Sequence, residues 1–111
     1  MTNEDLMLHI KALRISERNA IEELRQRYRI DQQRFLNDWA NEHARFRVGD
    51  IISSNTILIR VESIMGVLGL RDVPFVRYNG HALTKQLKNR ADGLVSSIYD
   101  DSPERNIIKI K

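Results

Sequence analysis

The chain has 111 residues, no cysteine and a net charge of +3, the length of one ordinary domain, and it excludes disulfides, thiolate metal sites and a cysteine nucleophile. A hydrophobic content of 41% with charges of both signs predicts a folded protein rather than a disordered one. No apolar run approaches the ~20 residues that cross a bilayer. The acidic opening Met1-Thr2-Asn3-Glu4-Asp5 does not read as a secretory signal, so a cytoplasmic location without membrane association is expected.

Two grammars meet near residue 46. All five glycines and both prolines lie beyond it, and the excess of positive charge lies there too: residues 1–45 hold eight basic and eight acidic side chains, residues 46–111 ten and seven. This predicts an amphipathic helix or helical hairpin over 1–45 and a small β domain over 46–111, each near the size at which core burial barely offsets chain entropy. The two parts are therefore expected to support each other or to dimerise.

In the first part, Thr2 and Asp5 have the spacing of a capping box, with Asp in place of the usual Glu or Gln. Leu6, Ile10 and Leu13 share one helical stripe, and Ala20, Ile21, Leu24 and Tyr28 continue it. Ser16-Glu17 offers a second start, so the helix either runs through or kinks near Ser16. Opposite charges at i,i+4 (Arg18–Glu22, Glu23–Arg27, Arg27–Asp31, Arg34–Asp38) mark a solvated outer face. Glu17 and Asp31 interrupt the stripe, so a strict heptad seam is not sustained. A helix over residues 3–44 is roughly 60 Å long, more than a 65-residue barrel covers. Phe35, Trp39 and Phe46 are expected to dock on the barrel. Leu6, Ile10, Leu13, Ala20 and Leu24 are left for self-association or a protein partner.

From Phe46 the pattern turns to strands. Phe46 to Ile52 reads as the first strand, with Gly49-Asp50 a turn-like step in which Asp50 bonds its own backbone; Ser53-Ser54-Asn55 reads as a turn. Thr56 to Glu62 alternates, with Ile57, Ile59 and Val61 on one side. Met65 to Leu70 either prolongs that strand or forms an apolar loop. Val73 to Tyr78, a two-residue hairpin at Asn79-Gly80 and a return strand His81 to Leu87 follow. Leu94 to Tyr99, an acidic turn at Asp100 to Glu104, and Asn106 to Lys111 complete five short strands, which suit a small barrel.

Phe46-Arg47-Val48-Gly49-Asp50-Ile51-Ile52, with Ile59-Arg60-Val61-Glu62-Ser63-Ile64 after it, resembles the opening of SH3-like small barrels of the KOW and Tudor kind. The likeness covers roughly residues 46–110. It implies an α+β protein: a long helix followed by a five-stranded SH3-like β-barrel, a fold that binds nucleic acid, peptides or modified side chains, or braces other domains. It carries no functional residue over.

Among candidate sites, the basic residues Arg77, Lys85, Lys88 and Arg90 flank the expected hairpin. They suit a phosphate backbone, with Tyr78 as a stacking face. The plainer reading is lysine that guards a strand edge. His9, His43 and His81 lack partners at metal-ligand spacing, and no nucleophile elbow, phosphate loop or His-Glu-x-x-His motif occurs. No metal or cofactor is expected. The sequence reads as a non-enzymatic protein-interaction module or adaptor, with a nucleic-acid-binding accessory protein as the alternative.

Overall fold

The computed structural model describes residues 1–55, 57–101 and 105–111, and the protein is α+β. The first element is helix α1, Asn3–His43. The expected capping box forms: Asp5 N–H donates to Thr2 Oγ1 at 3.1 Å, and Thr2 N–H donates to Asp5 Oδ2 at 3.3 Å. Two orphan amides at the helix start are satisfied reciprocally. The helix passes through Ser16 without a break, as one helix rather than a hairpin of two.

The chain divides into two units, residues 1–32 and 33–111. In the first, most of the stripe residues are exposed: Leu13 is 70% exposed and Tyr28 72%. In the second, the last turns of α1 accompany five antiparallel strands: β1 Ile51–Ser54, β2 Ile57–Leu68, β3 Pro74–Ala82, β4 Val95–Asp100 and β5 Ile107–Lys109. They form one sheet in the order β4-β3-β2-β1-β5. A short 3-10 turn at Leu70–Asp72 joins β2 to β3. Met65 to Leu68 prolongs β2, one of the two outcomes open for that stretch.

The sheet is open rather than a closed barrel. Among the described residues β4 pairs only with β3, and β5, three residues long, pairs only with β1. Its inner face gathers Ile52, Ile59, Val61, Ile64, Val76, Tyr78, Ile98 and Ile107. Ala40 and Phe46 pack into this cluster, with Trp39 and Ala44 against it. Burying each large aliphatic side chain here contributes about 1.5–3 kcal/mol. Phe35 does not join them and is 66% exposed, because the side of α1 that meets the sheet runs through Gln33, Leu36, Asn37 and Ala40 at helical spacing.

Gly66 explains that choice of side. Its N–H donates to Asn37 Oδ1 at 3.1 Å, and its carbonyl accepts from Gln33 Nε2 at 3.0 Å. The two amides themselves are joined at 2.8 Å. Among the described residues β1 pairs with β2 over Ile57 to Arg60, and further along β2 these side chains bond the backbone of Gly66.

Three local expectations are corrected. The first strand begins at Ile51 rather than Phe46, since the chain turns first. Arg47 N–H donates to the Asp50 carboxylate at 2.9 Å, Asp50 N–H donates to the Arg47 carbonyl at 3.0 Å, and Gly49 has φ +96°. Asp50 is thus the turn residue that its neighbour Gly49 suggested. Ser53 and Ser54 belong to β1. Most consequentially, Asn79-Gly80 is not a hairpin. β3 runs straight through it, and Gly80 sits opposite Val61 where the register shifts between Val61 and Ser63. The bulge brings the Arg60 carbonyl so close that a Cβ on Gly80 would overlap it. The glycine answers a close backbone approach, not a turn. Thr56 and the Ser102 to Glu104 part of the expected acidic turn lie outside the described residues.

Candidate functional site

The chain turns between β3 and β4 at Thr84 to Lys88. Thr84 N–H donates to the Lys88 carbonyl at 2.8 Å, Leu87 N–H donates to the Thr84 carbonyl at 2.9 Å, and Leu87 takes φ +64°. An isolated bridge pairs Leu83 with Asn89. This moves the predicted basic residues apart. Lys85 and Lys88 are exposed on this loop, and Arg90, farther along it, is paired with Asp92 at 2.8 Å. Arg77 lies in β3, six residues before Leu83, roughly 20 Å of extended chain away. Arg77 and Lys85 therefore do not flank a common hairpin at Asn79-Gly80.

Arg77 instead belongs to the outer face of β2, β3 and β4. Its Nε donates to Asn79 Oδ1 at 2.7 Å. The Ser97 hydroxyl also donates to Asn79 Oδ1 at 2.7 Å, and Asn79 Nδ2 donates to Ser63 Oγ at 3.2 Å. One asparagine thereby ties three strands together. Farther along, His81 Nδ1 pairs with the Glu62 carboxylate. In the other direction the Arg77 guanidinium lies 6.0 Å from the Tyr99 ring centroid, and Phe75 meets Tyr99 edge to face at 5.9 Å. Strand alternation puts Phe75, Arg77, Asn79 and His81 on one side while Val76, Tyr78, Gly80 and Ala82 go to the core. Tyr78, expected as a stacking face, is fully buried.

A shallow groove that sequence reasoning missed lies at one end of this unit, lined by Trp39, His43, Arg45, Pro74, Phe75, Val76, Asp100 and Asp101. The His43 ring stacks on Trp39 at 4.7 Å, one helical turn away, and its Nδ1 is 2.8 Å from the Trp39 carbonyl. Arg45 makes a two-pronged pair with Asp100, at 2.9 Å and 3.1 Å. The carboxylate holds the guanidinium above its ordinary pKa, against a smaller opposing effect of burial. Asp101 is met by Arg105 at 2.8 Å. Arg45 N–H also donates to the Tyr78 hydroxyl at 3.0 Å, and burial pushes the Tyr78 phenol above its ordinary pKa. The groove offers aromatic faces beside carboxylates whose charge is already matched. The i,i+4 spacing of Trp39 and His43 was the one local signal for it; the rest depends on β3–β4 pairing.

In the first unit the predicted association residues are available to solvent. Leu6, Leu13, Ala20 and Leu24 are exposed and Ile10 is partly so. Met7, Ile21 and Tyr28 stand beside them, also exposed. Among the described residues no helix is long and apolar enough to cross a membrane, and no group of three or more His, Asp or Glu side chains stands ready to hold a metal ion. In comparisons with known proteins, no family model, no curated protein and no solved structure matches the chain.

Proposed function

We propose that this protein is a non-enzymatic interaction module in which residues 3–32 of α1 supply the assembly face and the second unit is an SH3-like domain. The observation that carries it is the apolar face of that helix, with Leu6, Leu13, Leu24 and Tyr28 each 48–72% exposed. Isolated helices draw little stability from propensity, and most of it comes from covering such a face. A series of exposed apolar side chains along one helix face, as here, suits a contact site. The SH3-like assignment draws support from five antiparallel strands whose last one returns to pair with the first.

The test compares the full chain with a Leu6→Asp/Ile10→Asp/Leu13→Asp variant, by sedimentation and by affinity capture from host extract. The expected result is a self-assembly or a specific partner that the variant loses. Two monomers that return the same captured proteins would overturn the reading.

A second reading, nucleic-acid binding, is favoured by Arg77 over Tyr99 beside Phe75, and by the exposed Lys85 and Lys88. Aromatic faces with nearby cations suit single strands. Retention of a single-stranded oligonucleotide is then expected to weaken with salt at a log–log slope of about −0.7 per phosphate contact. Lys85→Glu/Lys88→Glu is expected to remove it for all sequences alike. No retention at moderate salt would dismiss this reading.

A further inference from the structure

We propose that residues 3–28 of α1 pair with the same residues of a second copy, antiparallel and in a single register; this rests on the reading of the helix as the assembly element. Asn3, Met7, Ile10, Arg14, Glu17, Ile21, Leu24 and Tyr28 are spaced alternately by four and three residues, and so form one seam along a continuous helix. The seam is apolar on both sides of a charged centre. Laid antiparallel on itself about a point between Ile15 and Ser16, it sets Met7 opposite Leu24, Ile10 opposite Ile21, and Arg14 opposite Glu17. Symmetry makes each pairing occur twice. Beside the seam, Leu13 comes opposite Ala20, which widens the apolar contact.

Charge selects this arrangement over the others. A parallel pair sets Arg14 on Arg14 and Glu17 on Glu17. Sliding the antiparallel pair by one heptad sets Arg14 against Ile10 or Leu24, and Glu17 against Met7 or Ile21. Each of those strands a charge in an apolar layer, which is strongly unfavourable. The flanks do not decide the matter, since Glu4 meets Arg25 while Lys11 meets Arg18. The overlap ends before Asp31, the next polar seam position, and before Gln33, whose amide serves Gly66. It spans 26 residues, about 39 Å, and Glu17, which interrupts the stripe, becomes the residue that sets the register.

The chain lacks cysteine, so register is readable directly. Ile10→Cys and Ile21→Cys are made separately and oxidised alone and as a mixture. Covalent dimers are expected from the mixture and hardly at all from either variant alone; self-linking of Ile10→Cys alone would show a parallel pair and overturn the proposal. Sedimentation equilibrium is expected to give two chains. Arg14→Glu is expected to weaken the dimer by roughly tenfold or more, with Glu17→Arg added to it restoring affinity. The pairing is overturned by a higher oligomer, by failure of the double exchange to restore affinity, or by a monomer at high concentration. If that monomer still captures another protein through Leu6, Ile10 and Leu13, the assembly reading survives without the pairing.

Discussion

The backbone of Gly66 in β2 lies directly against Leu36 of α1, so close that a Cβ on Gly66 would overlap the Leu36 carbonyl and come within 2.8 Å of its Cβ. Neither group is a flexible side-chain end. Gly66→Ala is expected to push the last turns of the helix off the sheet and to strain both amide bonds to Gln33 and Asn37. A loss of about 2–4 kcal/mol in chemical denaturation is expected. Gly93→Ala, at φ +66° with nothing within 4 Å, is the control. It is expected to cost only about 1 kcal/mol, from backbone strain.

Gly80→Ala tests the strand that replaces the expected hairpin. A methyl there meets the Arg60 carbonyl across the β2 bulge. The variant is expected to lose protection from hydrogen exchange in β2 and β3 together, at a cost above that of Gly93→Ala. Were Asn79-Gly80 a free turn, the cost would be similar to that of Gly93→Ala.

Tyr78 gives a pH dependence with a defined sign. Burial raises its phenol above the ordinary value, so above about pH 10 the unfolded chain loses this proton before the folded one does. The folded state then binds more protons, and stability falls as pH rises. The contribution is fully present below that range. Tyr78→Phe is expected to flatten this alkaline limb in denaturation midpoints taken from pH 7 upward. It is also expected to lower stability at neutral pH by about 1–2 kcal/mol, because Arg45 N–H loses its acceptor.

The Arg45–Asp100 pair is two-pronged, yet the Arg45 side chain is half-exposed. Asp100→Asn is therefore expected to cost only about 1 kcal/mol or less, with the difference shrinking as salt is raised. A larger, salt-independent loss would mean that the pair holds the helix end in place rather than decorating it.

Local chemistry settled the elements that depend on neighbours a few residues apart. Thr2 and Asp5 close their box, α1 runs through Ser16 without a break, Asp50 turns the chain beside Gly49, and Ile59 and Val61 face the core by strand alternation. What lies within one turn or one pleat is a property of the chain itself. Tertiary structure decided the rest. Asn79-Gly80 carries a strong local hairpin signal, but hydrogen bonding of β3 to both β2 and β4 outweighs it, and the glycine is used for its missing side chain instead. Phe35 is more hydrophobic than Ala40, yet Ala40 is buried in the core cluster, because the side of the helix that meets the sheet is the one whose Gln33 and Asn37 amides bond the backbone of Gly66. Periodicity specifies which residues share a face. Which face is covered, and how closely two backbones meet, depends on segments sixteen to thirty-three residues apart, and no local pattern records that distance.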